Sequence, residues 1–267
     1  MTLRFVLVPQ WQGSPSPRAM RLVDGVAALQ SDLPASATSA VPVPLEAGDE
    51  QGTGISRYTS VQLVRERTSV VLQDVDGPFV VVGGDCGVSA AGIAVAANRH
   101  PDVAVVWFDA HPDLNSPESS PSGAFAGMVL RAAIDNGDIA SERVVLAGAR
   151  SWDAGEETFA ADVGLRIFTA NDLDDPSALA DAVAATGADA VYLHIDLDVL
   201  DPADLDGLLD PEPFGVSSSA LVAAIRALRA RFPLAGATLA AYAPGALETE
   251  QAADDAATIL RIIAALD

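Results

Sequence analysis

The chain has no lysine. All fifteen of its cationic side chains are arginine, set against 37 acids, for a net charge of −22 over 267 residues. A surface of that sign repels phosphate backbones, which argues against nucleic acid as a partner. The only cysteine is Cys86, so an intrachain disulfide is impossible. No apolar run reaches the ~18 residues of a spanning helix, so no membrane segment is expected. The opening stretch MTLRFVLVPQWQG has a short apolar run and no small-residue cleavage site. It reads as a buried strand rather than a secretory signal. These absences lead to an expectation of a cytoplasmic protein.

What is present is hydrophobic residue, half of the chain. That is enough for a sizeable core, and the length suits one α/β domain over residues 1–267. Apolar, β-branched runs fall at Leu3–Pro9, Ala40–Leu45, Phe79–Val82, Val103–Asp109, Arg143–Leu146, Leu165–Phe168, Ala190–Asp196 and Thr238–Tyr242. Alanine-rich amphipathic segments lie between them, among them Ala19–Gln30, Ser60–Asp74, Leu221–Arg231 and Gln251–Ala265. The alternation predicts roughly eight strands in a mostly parallel sheet covered by helices on both faces. Asn115–Gly123 and Asp201–Gly215 read as loops after strands, where open α/β sheets bind ligands.

Four segments carry candidate chemistry: VVVGGDCG (Val80–Gly87), VVWFDAHPDLN (Val105–Asn115), LAGARSWDAGEE (Leu146–Glu157) and VYLHIDLDVLDP (Val191–Pro202). In the second, Asp109, His111 and Asp113 occupy alternate positions at the end of an apolar strand. An extended chain would project them together. Carboxylates crowded in a buried place need a cation to neutralise them, and a divalent metal does so. Alone, the spacing also fits a strand running into a polar loop with capping aspartates. The fourth segment repeats the pattern with Asp196 and Asp198, and with His194 on the same face. Two such clusters at strand ends supply enough oxygen and nitrogen donors for two metals.

These motifs resemble those of the arginase, agmatinase and formiminoglutamase family. FDAHPDLN is similar to its FDAHxDxN motif, HIDLDVLDP to SxDxDxxDP, and GGDC to GGDH, with Cys86 where the family has a metal-binding His. The resemblance implies an α/β/α fold and a pair of Mn2+ ions. It places Asp109 and Asp196 between both metals, His111 and Asp198 on one, and Cys86 and Asp113 on the other. Such a pair activates a water for attack on a guanidino carbon, with Asp113 helping a proton to the leaving amine. A thiolate is softer than imidazole, so Cys86 puts manganese in doubt. Cys86 also fits a buried structural thiol, or a nucleophile if a base lies beside it.

The resemblance also shows departures. SGAFAG (Ser122–Gly127) stands where arginases have S-G-N-x-H-G, which puts Ala124 at the Asn and Ala126 at a His that shuttles protons. LAAYAP (Leu239–Pro244) puts Ala241 where a Glu holds the guanidinium. Asp210 and Glu212 are acids that could substitute, or exposed turn residues. The other end of the substrate site matches: Asn115 and Ser122 at positions that hold an α-carboxylate, and Asp153 at one that holds an α-amino group. Each could equally be a cap or turn residue. His194, where the family usually has Ser, fits a partial replacement for the shuttle or a hydrogen bonder behind the ligands. His100 reads as a surface residue.

The pattern implies a small guanidino amino acid as substrate. It resembles most the N-omega-hydroxy-L-arginine hydrolases of antibiotic (D-cycloserine) biosynthesis, which release hydroxyurea and L-ornithine. Arginase, agmatinase or other guanidino-acid activity, and a non-catalytic metal-binding homologue, remain alternatives. A homo-oligomer is left open.

Overall fold

The computed structural model describes residues 3–247 and 249–267. Eight strands form one sheet in the order β2-β1-β3-β8-β7-β4-β5-β6, with every neighbouring pair parallel. They are β1 (Arg4–Val8), β2 (Thr38–Ala40), β3 (Phe79–Gly83), β4 (Val103–Phe108), β5 (Val144–Ala147), β6 (Arg166–Phe168), β7 (Ala190–Asp196) and β8 (Leu234–Ala240). The central ones are buried along their whole length, which suits the run of Val, Ile and Leu in each.

Among the described residues seven α-helices connect the strands, α1 (Arg21–Gln30), α2 (Tyr58–Gln73), α3 (Ser89–Arg99), α4 (Val129–Asp135), α5 (Ala154–Val163), α6 (Pro176–Ala184) and α7 (Ser218–Arg231), and α8 (Glu250–Ala265) follows β8. Strand alternation sorts the core into two layers. Val80, Val82, Val106, Phe108, Leu193 and Ile195 face one way and meet Val26, Leu179, Leu221 and Ile259. Phe79, Val81, Val105, Trp107 and Tyr192 face the other way and meet Val64, Ile93 and Leu130. Side-chain caps start the helices at their boundaries: Asp175 with Pro176 behind it, Ser217 and Thr249. Gly164, at φ 67°, ends α5 in the left-handed conformation that glycine adopts without strain.

Two strand expectations need correction. The second strand is Thr38–Ala40, not Ala40–Leu45. Residues 41–45 contain two prolines, Pro42 and Pro44, which cannot donate to a ladder, and the chain leaves the sheet there. The last strand spans Leu234–Ala240 rather than Thr238–Tyr242, because the ladder to β7 runs from Val191↔Leu234 to Asp196↔Ala240. Its Ala–Gly-rich start lacks a β-branched signal.

In this order, β3 and β4 are separated by β8 and β7, so the chain changes side between them. Such a switch opens a crevice at the C-terminal edge of a parallel sheet. The loops after β1, β3, β4, β5, β7 and β8 all emerge there. His100 lies at the opposite edge, where it precedes β4 and its carbonyl accepts from Val103.

The contact between α3 and β7 is a tight one. A Cβ added at Gly92 would stand 2.2 Å from the Tyr192 hydroxyl. Gly92→Ala is expected to lose about 1–3 kcal/mol of stability through overpacking. Gly245→Ala, with open space around it, should stay within about 0.5 kcal/mol of the parent. Urea denaturation of both variants measures the difference.

Candidate metal centre

The acids of the second and fourth motifs meet at this edge. β4 ends at Phe108, and Asp109 is the first residue beyond it. Its Oδ1 accepts the His111 backbone N–H at 2.6 Å and its Oδ2 accepts the Trp107 indole N–H at 3.1 Å. β7 ends at Asp196, whose Oδ1 accepts the Asp198 N–H at 2.8 Å. Asp198 Oδ1 accepts the Ala110 N–H at 3.0 Å, tying the β7 exit to the β4 exit.

Strand alternation is not what gathers these groups, and that expectation is corrected. A 3-10 turn over Leu197–Val199 carries Asp198, and the segment after Phe108 is irregular. Asp113 sits at φ 53°, in the left-handed region, so it enters the pocket by a turn of the backbone.

Two sets of donor atoms converge, each within 4.8 Å of one another: Cys86, Asp109, His194 and Asp196, and then Asp109, His111 and Asp198. Asp109 belongs to both. The Cys86 thiol donates to Asp196 Oδ2 at 2.8 Å. His111 Nδ1 lies 3.0 Å from Asp198 Oδ2 and 3.5 Å from Asp109 Oδ1. Asp113 lines the same pocket but belongs to neither set. Its Oδ2 and His194 Nε2 are buried without a hydrogen-bond partner.

The protonation balance shows a site short of positive charge. Burial drives Asp196 and Asp113 well above the usual carboxylate range, and the neighbouring acids add to it. Asp198 is pushed up to about 6 by burial and by Asp109. Burial pushes the Cys86 thiol up as well, and Asp196, Asp113 and Asp109 push it further. Burial acts against His111 too, but hydrogen bonds to Asp109 and Asp198 outweigh it and hold its imidazole well above the ordinary value. Burial also raises Asp109, yet the hydrogen bond and charge of His111, with the His194 imidazole nearby, leave it below the usual range. A bound cation inverts this logic, since it favours every deprotonated ligand. Four carboxylates that are each at most 3% exposed, together with two orphaned polar atoms, fit such a cation pair.

The matched substrate-end residues also line this pocket, with Trp152 beside them. Asn115 donates its amide to Asp153 Oδ2 at 2.9 Å and accepts from the Ser119 hydroxyl at 2.8 Å. Ser122 Oγ accepts the Ala124 N–H at 3.2 Å. Asp210 is exposed on the pocket rim. Glu212 lies in a separate surface hollow, where its carbonyl accepts from Arg150. Ala126 and Ala241 form part of the wall.

Sequence patterns alone did not single out several residues that organise the site. Glu156 bridges two loops: its Oε1 accepts the Leu114 N–H and its Oε2 the Asp153 N–H, both at 2.9 Å. The signal available was a capping box, Asp153 to Glu156, at the start of α5. Asp85 accepts from Gln10 at 2.9 Å, Gly13 at 2.9 Å and Gly87 at 3.0 Å, which anchors the loop beside Cys86. Burial pushes Asp85 up to about 6 against those hydrogen bonds. Gln10 gave no local signal, because its partner is 75 residues away. Arg150 donates to the carbonyls of Asp198 and Glu212, both at 2.8 Å, and fastens the Asp198 turn to the next loop.

Fold and site together define an α/β/α protein with a buried, acid-rich centre at the C-terminal edge of its sheet, whose two overlapping donor sets could each hold a metal ion. The family model described as "Arginase family" matches residues 16–265, and the chain belongs to that family. It is 36% identical over 199 residues to the N(omega)-hydroxy-L-arginine amidinohydrolase of Streptomyces lavendulae, covering 71% of this chain and 69% of that protein. It is 34% identical over 181 residues to the arginase of Bacillus caldovelox, covering 59% of this chain and 60% of that relative's length. The fold is also that of Entamoeba histolytica arginase, solved with L-ornithine, at TM-score 0.86 and 23% identity over 99% of this chain and 97% of that one.

Glu156→Ala would leave two backbone N–H groups without their acceptor. It is expected to cost on the order of 2–4 kcal/mol, and Glu156→Gln, which keeps one acceptor oxygen, less. Chemical denaturation checks both.

Proposed function

We propose that the chain is a dinuclear-metal amidinohydrolase that cleaves the guanidino C–N bond of an arginine-like amino acid. The substrate we favour is N-omega-hydroxy-L-arginine, with hydroxyurea and L-ornithine as products. The observation that carries the reading is the pair of donor sets sharing Asp109, with Cys86, His111, Asp196 and Asp198 on the wall of one pocket.

Asp109, His111 and Asp198 would hold one metal, with Asp196 as a further carboxylate between the two. Cys86, Asp109 and Asp196 would hold the other, with Asp113 beside them. The donors of the first set are hard oxygens and an imidazole, which suits Mn2+; the thiol of the second does not favour it. When bound, the ions supply the positive charge that brings the pKa of a water toward neutrality. Asp113 is placed to take a proton there, because its Oδ2 is buried and has no partner. It would pass that proton to the leaving amine.

At the far end, Asp153 would accept the α-amino group. Asn115 acts through Asp153, since its amide already donates there. The Ser122 hydroxyl, 3.4 Å from the Ser120 hydroxyl, would donate to the α-carboxylate. Asp210 on the rim adds negative charge that draws a cationic substrate.

Around the guanidino end, Ala126 and Ala241 present no carboxylate and no imidazole. A hydroxyguanidine is less basic than a guanidine and tolerates that loss. The identity to the S. lavendulae relative supports the same substrate. The second reading is arginase itself, supported by the 34% identity to the B. caldovelox protein.

The deciding experiment pairs metal analysis of the purified protein with product identification from L-arginine and its N-hydroxy derivative. Two metals and hydroxyurea are expected; urea from L-arginine as the better substrate selects arginase. Protein that holds two metals and hydrolyses neither compound overturns the enzymatic reading. Asp109→Ala and Asp196→Ala are each expected to lower turnover by at least about 1,000-fold, or ~4 kcal/mol of barrier. Normal turnover in either variant refutes its place between the metals.

A further inference from the structure

His194 is fully buried on β7, and its two ring nitrogens face different environments. Nδ1 lies 2.8 Å from the Ser89 hydroxyl. Ser89 stands near the Tyr192 hydroxyl, which lies 2.6 Å from Thr238 Oγ1. Nε2 points the other way. It stands 3.5 Å from Asp109 Oδ2, has no hydrogen-bond partner, and falls in the donor set with Cys86, Asp109 and Asp196.

We propose that His194 Nε2 is a metal ligand, completing with Cys86, Asp109 and Asp196 a four-donor site for a borderline-soft divalent ion such as Co2+ or Zn2+. This rests on the dinuclear reading above and assigns one ligand beyond it.

The Ser89 hydroxyl can accept from Nδ1–H or donate to Nδ1, so the surroundings of Nε2 decide the tautomer. With Nδ1–H donating to Ser89, the Nδ1 side is satisfied. Nε2 then carries a lone pair. A buried lone pair facing a carboxylate is unfavourable unless a cation lies between them. The alternative tautomer puts a hydrogen on Nε2 with its nearest carboxylate oxygen 3.5 Å away, too long for a good hydrogen bond.

Trp107 holds the arrangement in place. Its indole stacks on the His194 ring, with centroids 3.5 Å apart and planes 10° from parallel. The same indole donates to Asp109 Oδ2. One side chain therefore orients two of the four donors, as supporting residues at metal sites do.

One imidazole, one thiolate and two carboxylates make a set that a tetrahedral ion fills with its own ligands. On binding, the Cys86 thiol releases its proton to solvent and the Cys86–Asp196 hydrogen bond gives way to two bonds to the ion. The three-donor set of Asp109, His111 and Asp198 keeps positions open. With His194 as the fourth donor, Asp113 is free to carry a proton.

The test uses the full-length protein, stripped with a chelator and refilled with Co2+. A sulfur-to-cobalt charge-transfer band is expected, and it follows occupancy of the Cys86 site. His194→Ser should weaken that site by more than about 100-fold, beyond the 10–100-fold that losing an outer hydrogen-bonding partner costs. Ser89→Ala, which removes such a partner, should fall within that smaller range. NMR of the cobalt-loaded parent, which needs no variant, should show two strongly shifted imidazole N–H signals, from His111 and His194. The His194 signal should exchange slowly, because it is buried against Ser89. A single shifted imidazole signal, no charge-transfer band, or a His194→Ser loss below about 100-fold overturns the assignment. Failure of the hydrolase reading would appear in the product assays and leave these spectra unchanged.

Discussion

The constraint on which the site depends is electrostatic: four carboxylates share a cavity that water barely reaches. Asp109, Asp113, Asp196 and Asp198 are nearly fully buried, and His111 is the one neighbour held in its charged form by them. An arrangement of this kind is tolerable in two ways. Either the acids take up protons, as the upward shifts of Asp196, Asp113 and Asp198 indicate for the ion-free protein, or cations take the protons' place. The second way turns a destabilised cluster into a binding site. Part of the folding stability is then linked to metal, since a ligand bound only by the folded state adds to its free energy.

The fold bears this load at the position where a parallel sheet is best able to. The chain leaves every strand at the same edge, and the site is tied across these exits by single residues that each reach two of them. Glu156 joins the Asp113–Asn115 turn to the start of α5. Asp85 joins the loop after β1 to the loop after β3. Arg150 joins the Asp198 turn to the loop that follows it, and Trp107 aligns Asp109 with His194. None of these four is among the acids that meet at the cavity floor as donors. They convert mobile loop geometry into a rigid constellation, which catalysis and metal selectivity both require.

The two donor sets differ in character. One is oxygen and imidazole, and the other includes a thiol. Unequal halves give a centre in which one ion can be held more firmly and the other left with room for substrate. On the proposed substrate reading, the alanines at positions 126 and 241 leave the guanidino end of the pocket without charge while Asp153 stands at the other end.

Much of this was legible in the order of residues. Eight apolar runs alternating with amphipathic stretches are enough for a parallel sheet between helix layers, because burial on both faces demands continuous hydrophobic strands. The motifs around Cys86, Asp109 and Asp196 mark residues whose donor atoms the structure brings together. Where the reading failed, local signal was weak: the alanine and glycine at the start of β8, and the proline-interrupted stretch after Ala40. Tertiary structure alone decided which donor atoms lie close to one another. That Asp198 arrives by a 3-10 turn, that Asp113 stands apart at φ 53°, and that His194 comes near Cys86 across 107 intervening positions of sequence all depend on neighbouring strands β3, β8, β7 and β4. Periodicity records which way a side chain points from its own strand, but the distance between two strand tips is set only when the sheet is assembled.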